Sequence, residues 1–417
     1  MRTPSTRALP PALLAVARPL AERLGAAGHR TWIVGGAVRD LALGRAPKDL
    51  DLTSDATPDE VEALFPDAVD VGRQFGTLLL PAEVGEQRRE HAEHTTFRSD
   101  SVYRDGRRPE AVTFGRSLEE DAERRDFTCN ALYLDPLTDE VADPTGGLAD
   151  LEAGVLRAVG LAHERFQEDA LRILRLARFA AGYDLKVEPG TAAGARQAIA
   201  GLGRLPAERI VGELRRMGQG PGARRASALL EDLGWISALL QPDADVNRRV
   251  AAAQALPQEA SWIEWWTLLA GPLPLGAEPE VLREFAEHYR LSREELAAVQ
   301  ALHAGASLLA RPQRQAELAR LARSRFGGSV LRVFDAAGDL APGPYGDQSA
   351  DLRRWLARPA ADLQPQPLLT AEDLLALGVE RGPALGAWLE RLEAAQIEGR
   401  LTQRSEAEAW IRADRAD

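Results

Sequence analysis

The chain changes its pattern once, near residue 161, and this change limits the folds that it can adopt. Between about Ala12 and Leu161, short runs typical of β-strands alternate with runs typical of helices. From His163 onward the pattern is almost entirely helical. The sequence therefore predicts an α+β fold class, in which a head with a mixed sheet is followed by a long all-helical part.

Five runs in the head have the composition of strands. They are Thr31 to Val34, Asp49 to Thr53, Ala68 to Val71, Gly76 to Leu80 and Glu93 to Arg98. Two helix starts show the pattern of a capping box, in which a hydroxyl residue is followed three positions later by glutamate. These starts are Thr57 with Glu60 and Ser117 with Glu120.

Segments rich in glycine or proline divide the helical part. They are Pro189-Gly190, Gly218 to Gly222, Pro242, Gly271 to Gly276 and Ala341 to Gly346. We therefore predict four parts: a catalytic head over residues 1–160, a helical neck over 161–240, a helical body over 241–345 and a helical tail over 346–417.

Composition excludes several classes of protein. Apolar residues make up 45% of the 417, which is typical of a globular protein, and no apolar run is long enough to cross a bilayer. We expect no membrane partner. Met1 to Pro11 lacks the apolar core of a secretory signal, so we expect a cytoplasmic protein. The single cysteine, Cys129, allows no intramolecular disulfide and is expected to be a small buried residue.

The first chemical signal is the segment Ile33-Val34-Gly35-Gly36-Ala37-Val38-Arg39-Asp40, which has the pattern of a strand, a two-glycine turn and a helix start. Glycine lets backbone N–H groups approach an anionic group closely, and phosphate is the obvious candidate. Taken alone, a pair of glycines is more often only a turn.

The second signal, Lys48-Asp49-Leu50-Asp51-Leu52, follows within a few residues. In a strand, Asp49 and Asp51 lie on the same face, where two carboxylates repel unless a cation lies between them. Mg²⁺ takes oxygen ligands, usually one or two protein carboxylates plus substrate phosphates. A solvated sheet edge is the alternative for this pair alone. The order and closeness of the two segments favour metal-dependent phosphoryl or nucleotidyl transfer.

Further polar residues follow in the head. Glu93, in a predicted strand, is either another carboxylate of the metal site or a surface glutamate. Arg124 and Arg125 either bind departing phosphates or neutralise the end of a helix. Asp126 and Asn130 either hold a sugar hydroxyl or cap a turn.

The predicted helix from Glu164 to Phe179 carries Asp169 and Arg172, which are neighbours at positions i and i+3. The alternative for this pair is an intrahelical salt bridge. A carboxylate only accepts hydrogen bonds and a guanidinium only donates them, so the pair matches the amino group and ring nitrogen of cytosine or adenine. Uracil and guanine present a carbonyl instead and are rejected. Arg175 and Arg178 continue the helix and either contact a triphosphate or pack.

The net charge of −12 argues against a protein covered in positive potential, although RNA needs only a local basic face. Such a face is predicted in the neck, opposed only by Glu208 and Glu213; a solvated helix surface is the alternative. Its residues are Arg204, Arg209, Arg215, Arg216, Arg224 and Arg225. No DNA partner is expected.

Taken in order, these segments resemble the bacterial class II tRNA nucleotidyltransferases, which maintain the 3′ CCA end of tRNA. The residues that carry the resemblance are Gly35 to Asp40, Asp49-Leu50-Asp51, Arg124 to Ala131, Asp143-Pro144-Thr145-Gly146-Gly147, Glu168-Asp169 with Arg172, and Glu208-Arg209-Ile210. The resemblance implies a polymerase-β-like nucleotidyltransferase head, followed by neck, body and tail, with the tail binding tRNA. It also implies CTP and ATP as substrates, the 3′ end of tRNA with its acceptor and T arms as partner, and Mg²⁺ as cofactor.

The same resemblance assigns roles to individual residues. Asp49 and Asp51 are expected to bind Mg²⁺, and Glu93 is expected to be a supporting catalytic carboxylate. The residues expected to bind the nucleotide are Gly35, Gly36, Arg39, Arg125, Asp169, Arg172, Arg175 and Arg178.

The resemblance leaves several activities open, because related enzymes add CCA, only CC, only A, or poly(A). Enzymes restricted to CC usually have a shortened loop where this chain has the polar segment Arg98 to Val112, which argues against CC addition alone. Loops of this length are usually functional or disordered, and we expect this one to lie over the active site. Poly(A) polymerase and a non-catalytic RNA-binding protein are the remaining alternatives.

Overall fold

The computed structural model describes residues 2–84, 88–100, 112–115, 117–220, 222–239, 246–272, 275–311, 315–340 and 348–414. The chain forms two compact units, Met1–Pro242 and Asp243–Asp417. The predicted α+β class is confirmed, since a mixed sheet lies in the first unit and the rest is mostly helical. The finer division into head, neck, body and tail stays a prediction.

The strands described lie in the first unit. They are β1 Thr31–Val34, β2 Asp51–Ser54, β3 Val69–Gly72, β4 Thr77–Val84, β5 Arg88–Thr96, β6 Arg98–Asp100, β7 Val112–Phe114, β8 Tyr133–Leu134, β9 Val141–Ala142, β10 Val155–Leu156 and β11 Lys186–Val187. Seven of them form one sheet in the order β3-β4-β5-β2-β1-β8-β9. Within this sheet β2 and β5 run parallel, and the other neighbours are antiparallel.

Two strand predictions need correction. Strand β2 begins at Asp51, so Asp49 lies just before the strand and not within it. The segment predicted as a loop from Arg98 begins and ends in strands, because β6 and β7 pair with each other. Its central residues 101–111, expected over the active site, lie outside the described residues.

The helices of the first unit alternate with these strands and then follow them. They are α1 Pro11–Ala26, α2 Gly36–Ala42, α3 Pro58–Leu64, α4 Leu118–Glu123, α5 Gly147–Glu152, α6 Ala162–Glu168, α7 Leu171–Tyr183, α8 Pro189–Ala198, α9 Ala207–Gly218, α10 Ala223–Asp232 and α11 Trp235–Leu239. Short 3₁₀ helices span Thr6–Ala8, Arg73–Phe75, Thr128–Asn130 and Ile199–Arg204.

The two predicted capping boxes had different outcomes. The box at Thr57 and Glu60 is present, with reciprocal side-chain and backbone hydrogen bonds at the start of α3. The box at Ser117 is wrong, because the Ser117 hydroxyl donates instead to Glu119 at 2.6 Å and accepts no backbone hydrogen bond.

The continuous helix predicted from Glu164 to Phe179 is also wrong. Helix α6 ends at Glu168, Asp169 is extended with φ −145° and ψ 101°, and α7 begins at Leu171. The Asp169 carboxylate accepts a hydrogen bond from the Leu171 backbone N–H at 3.0 Å and thereby satisfies the first N–H group of the second helix.

The core of the first unit lies on both faces of the sheet. Helix α1 packs against β1, β4 and β5, and its residues Leu20 and Leu24 are buried. Another buried cluster joins Trp32 of β1, Tyr133 of β8 and Phe97. These contacts fix the central strands from which the polar residues of the site extend.

The second unit is helical in all of its described elements. They are α12 Val246–Ala255, α13 Trp262–Ala270, α14 Pro279–His288, α15 Arg293–Leu309, α16 Gln315–Arg323, α17 Gly327–Ala337, a 3₁₀ turn Gly338–Leu340, α18 Gln348–Leu356, α19 Ala360–Leu363, α20 Ala371–Ala376, α21 Pro383–Ile397 and α22 Arg404–Asp414. Helix α13 is buried along its whole length, and its Glu264 is paired with Arg332 at 2.7 Å. None of the helices described in either unit has the length and apolar character needed to span a membrane.

Candidate functional site

The two-glycine turn joins the end of β1 to the start of α2. Gly35 has φ 72° and ψ −121°, a conformation that strains any residue with a side chain. A Cβ atom at Gly35 would lie 3.5 Å from Nη1 of Arg125 and 3.6 Å from the backbone oxygen of Asn130. A side chain at this position would contact Arg125, whereas glycine leaves the arginine nitrogen next to bare backbone, as a phosphate-binding turn requires.

Three carboxylates lie next to this turn. Asp51 pairs with Val34 of β1 on one side and with Glu93 of β5 on the other, so the two acids are direct neighbours across the parallel ladder. Asp49, Asp51 and Glu93 are all exposed. The structure thus brings together the three acids named from the sequence.

The carboxyl group of Asp51 is hard to ionise. Neighbouring protein removes part of its hydration, and the charges of Glu93 and Asp49 add to this effect, which raises the pKa of Asp51 to about 6. The positive charge of Arg125 acts in the opposite direction. A bound cation would relieve this repulsion.

The acids fit a metal ion that also takes ligands from a substrate. In the described part of the chain, no three acidic, histidine or cysteine side chains converge closely enough to enclose a metal by themselves. Mg²⁺ characteristically uses one or two carboxylates and completes its shell with water and substrate phosphates. The exposed oxygens of Asp49 and Asp51 suit that kind of site.

Both arginines after α4 are held by one carboxylate. Asp121 is fully buried and accepts hydrogen bonds from Nε of Arg124 at 2.8 Å and Nη2 of Arg125 at 2.9 Å. The hydroxyl group of Tyr133 donates to the same carboxylate at 2.8 Å. The sequence analysis missed Asp121, although its spacing of three and four residues from the arginines is that of helical ion pairs.

A chain of buried hydrogen bonds leads from Arg39 to α7. Arg39 donates to Oδ1 of Asn130 at 2.6 Å, Nδ2 of Asn130 donates to Asp126 at 2.9 Å, and Nε of Arg175 donates to Asp126 at 2.7 Å. Arg39 also donates to the hydroxyl group of Tyr183 on α7. Arg39 is only 5% exposed, so it joins α2 to α7 as well as bordering the Gly36 turn.

The Asp126 carboxyl group is ionised in this network. Burial opposes its ionisation, but the charge of Arg175, the hydrogen bond from Asn130 and the charge of Arg172 outweigh burial and lower the pKa of Asp126 to about 2. Because Arg39 can only donate and Asp126 can only accept, these partners fix the orientation of the Asn130 amide.

Asp169 and Arg172 lie near each other but are bonded to other groups. Asp169 accepts from both terminal nitrogens of Arg209 on α9, at 3.3 and 2.8 Å. Arg172 donates to Glu168 at 2.8 Å and to the backbone oxygens of Arg165 and Arg124 at 3.1 and 3.0 Å. The last contact connects the start of α7 with the pair of arginines beside the glycine turn.

The two other arginines of α7 pair with buried acids. Arg175 binds Asp126, and Arg178 donates to Glu213 of α9 at 2.7 Å. Glu213 is 1% exposed and also accepts from Arg216 at 2.6 Å. Glu213 therefore pairs with arginines of both α7 and α9.

The prediction that only Glu208 and Glu213 oppose the basic face of the neck is wrong. Arg209 is paired with Asp169, Arg216 with Glu213 and Arg225 with Asp184, so more acids than Glu208 and Glu213 oppose the arginines. The sequence missed Asp169 and Asp184 as partners because both come from another segment of the chain.

Cys129 is completely buried, as expected, and burial raises the pKa of its thiol to about 12. This thiol is therefore unreactive at neutral pH.

Comparisons with known proteins show the family to which the chain belongs. Residues 31–157 match the family model described as the Poly A polymerase head domain. The CCA-adding enzyme of Limosilactobacillus fermentum is 34% identical over 394 residues, which cover 94% of each chain. That of Geobacillus thermodenitrificans is 35% identical over 390 residues, covering 92% of this chain and 93% of the relative.

Solved structures give the same result for the fold. The CCA-adding enzyme of Bacillus stearothermophilus in complex with CTP superposes with a TM-score of 0.73 at 29% identity, over 98% of both chains. The Thermotoga maritima CCA-adding enzyme complexed with tRNA has a TM-score of 0.72 at 19% identity, which shows a shared fold. Because about a third of the residues are identical to those of the named relatives over more than nine-tenths of the chain, the resemblance seen in the sequence is confirmed: the chain belongs to the family of CCA-adding enzymes.

Proposed function

We propose that this chain adds or repairs the 3′-terminal CCA of tRNA, using CTP and ATP without a template. In each step the 3′-oxygen of the tRNA forms a bond to the α-phosphorus of the nucleotide. The bond from that phosphorus to the oxygen bridging the β-phosphate breaks, and pyrophosphate leaves. The observation that carries the proposal is the grouping of the glycine turn, Arg125 and the acids Asp51 and Glu93 at the centre of one sheet.

The acids are assigned to the metal. Asp49 and Asp51 would hold Mg²⁺, with Glu93 as a supporting carboxylate. When bound, this metal would favour ionisation of the attacking hydroxyl group and neutralise charge on the departing pyrophosphate. The support for this assignment is that loss of hydration and repulsion from Glu93 and Asp49 raise the pKa of Asp51, which a bound cation would counteract.

The residues around the glycine turn are assigned to the triphosphate. Gly35 and Gly36 let the backbone approach the phosphates, and Arg125 supplies positive charge, with its Nη1 atom 3.5 Å from the position that a Cβ atom would take at Gly35. Arg39 is assigned to the same group, and its bonds to Asn130 and Tyr183 hold it in place. The triphosphate is thereby oriented for attack at its α-phosphorus.

Asp169 and Arg172 are assigned to the base. An ionised carboxylate offers about four acceptor positions, of which Leu171 and Arg209 use three. The position that is left suits the amino group of cytosine or adenine. Arg172 uses three of its five N–H groups and keeps donors for the ring nitrogen. Arg175 and Arg178 support this end of α7 through Asp126 and Glu213.

The proposal is tested by replacing either metal-site aspartate. In Asp49→Ala and Asp51→Ala, incorporation of labelled CTP into tRNA lacking CCA should fall by more than about 1,000-fold, because each variant loses a charge that holds the metal. Binding of tRNA, measured by filter retention, should stay within about threefold. Asp55→Asn, which changes a carboxylate paired with His29, is the matched control. Activity that survives in both alanine variants would refute the metal assignment.

A second candidate function is the addition of A alone, with a separate enzyme adding CC. The same base-reading pair serves both nucleotides, so Asp169 and Arg172 do not distinguish this candidate from full CCA addition.

A further inference from the structure

Asp121 is the most extensively bonded buried carboxylate beside the glycine turn, and the roles proposed above make no use of it. Its side chain is fully buried, and it receives hydrogen bonds from Arg124, Arg125 and Tyr133. It binds both arginines through two nitrogens each, with Oδ1 serving Arg124 and Oδ2 serving Arg125. One carboxylate thus fixes two adjacent guanidinium groups.

This arrangement leaves one nitrogen of the Arg125 guanidinium outside the ion pair with Asp121. Nε and Nη2 of Arg125 donate to Asp121, at 3.1 and 2.9 Å. The remaining nitrogen, Nη1, makes only a long 3.4 Å contact with the backbone oxygen of Asn130 and lies beside Gly35. The two bonds to Asp121 therefore turn the third nitrogen toward the backbone of Gly35 at the glycine turn.

The charges of Asp121, Arg124 and Arg125 also favour the binding of an anion. Burial opposes ionisation of Asp121, but the charges of Arg125 and Arg124 and the Tyr133 hydrogen bond outweigh it and hold the pKa of Asp121 below its ordinary value. Two cations and one anion leave a net charge of one positive unit. An arriving triphosphate therefore meets a positive group that is already in place.

We propose that Asp121 is the positioning residue that orients Arg125 toward the triphosphate. This inference rests on the proposed function, since it requires a triphosphate at the Gly35 turn. Asp121 itself does not touch the nucleotide; it acts through the two N–H bonds that fix the plane of the Arg125 guanidinium. A neutral amide at this position would accept fewer of these bonds and would leave both guanidinium groups without a counter-charge.

The test is steady-state kinetics of Asp121→Asn with CTP and a tRNA that lacks CCA. We expect the KM for CTP to rise by about 10- to 100-fold, while kcat and the KM for tRNA each change by less than about threefold. The inhibition constant of pyrophosphate should rise by the same factor as the KM for CTP, because pyrophosphate needs the arginine but not the base pocket. Preference for CTP over UTP should not change.

Two further variants separate positioning from a general loss of structure. Tyr133→Phe removes one hydroxyl group that donates to Asp121 and accepts from Arg125, and it should raise the KM for CTP by about 3- to 10-fold in a folded protein. Asp135→Asn changes another buried carboxylate of the head, one paired with Arg30, and is the matched structural control. It should leave the KM for CTP unchanged.

The outcomes are distinct. If the wild-type protein is active but a folded Asp121→Asn variant keeps the wild-type KM for CTP and the wild-type inhibition by pyrophosphate, the inference is overturned. The proposed function would then stay intact. If Asp121→Asn does not fold, an unchanged KM in Tyr133→Phe would overturn the inference. A wild-type protein that incorporates no nucleotide would instead overturn the proposed function.

Discussion

Single carboxyl groups in this protein differ in pKa because their surroundings differ. Asp126 and Asp121 are buried among arginines, and both have a lowered pKa. Asp51 is exposed but lies beside Glu93 and Asp49, and its pKa is raised. For Asp51, loss of hydration and the charges of Glu93 and Asp49 raise the pKa together, whereas for Asp126 and Asp121 the neighbouring arginines outweigh burial.

The raised pKa of Asp51 predicts a stability effect with a defined sign. The folded protein holds this proton up to about pH 6, whereas the unfolded chain releases it near 3.8. Asp51 therefore costs stability above pH 6, and this cost disappears as the pH falls from 6 to 4. In the metal-free protein, Asp51→Asn should raise the free energy of unfolding at pH 7.5 by about 1 kcal/mol, a value limited by solvent screening, and should have no effect near pH 4.

Urea titration at the two pH values, with chelator present, measures this effect. Asp55→Asn is the control, because Asp55 is paired with His29 and its loss offers no relief of repulsion. A destabilised Asp51→Asn variant at pH 7.5, or equal gains at both pH values, would contradict the assignment of repulsion to the three acids.

Among the secondary-structure elements, the break between α6 and α7 has the clearest consequence for the site. No glycine or proline marks it in the sequence, and the helical pattern continues across it. The break is made by contacts from other places: Arg209 of α9 binds Asp169, and Arg172 donates to the backbone oxygen of Arg165 near the end of α6. These contacts satisfy groups that the interrupted helix leaves unbonded.

How much of the fold and of the site could be predicted from the sequence depends on whether the signal is local. Thr31–Val34 matched its predicted bounds because a buried apolar run is a local signal. The limits of β2, β4 and β5 depend on pairing with other strands and were predicted less well. The candidate residues of the site were named from their motifs, whereas Tyr183 was missed because its partner Arg39 lies on another element. Glu213 was named only as an acid opposing the basic face, because its partner Arg178 lies on another helix. Asp121 was missed although its partners Arg124 and Arg125 are only three and four residues away.

The Asp169 carboxylate keeps one acceptor position beside its bonds to Leu171 and Arg209, which predicts that a substitution at Asp169 changes base choice. In Asp169→Asn, the amide can donate to the carbonyl of uracil, which the carboxylate cannot do. The ratio of kcat/KM for CTP to that for UTP should therefore fall by about 10- to 100-fold, which corresponds to about 1–3 kcal/mol.

Competition between labelled CTP and UTP on one tRNA measures this ratio. Asp184→Asn is a matched control, because Asp184 lies at the other end of α7 and pairs with Arg225. An unchanged ratio in Asp169→Asn, with normal activity toward CTP, would mean that another residue reads the base.

Over the whole chain, the acidic net charge and the ion pairs of the arginines both limit the positive charge that a nucleic acid could contact. The chain carries a charge of −12, and the neck arginines Arg209, Arg216 and Arg225 are each paired with an acid. A nucleic acid would therefore be bound through limited regions of positive charge and not through the surface as a whole. This fits a protein that acts at one end of an RNA.

The measurement that bears most directly on the proposed function is Mg²⁺-dependent incorporation of labelled CTP and ATP into two tRNAs, one lacking CCA and one ending in CC. Because relatives that are about a third identical over more than nine-tenths of this chain are CCA-adding enzymes, we expect both tRNAs to be completed to CCA. Addition of a single A to the CC-ending tRNA, with no CTP incorporated into the other, would contradict full CCA addition and identify an enzyme that adds only A.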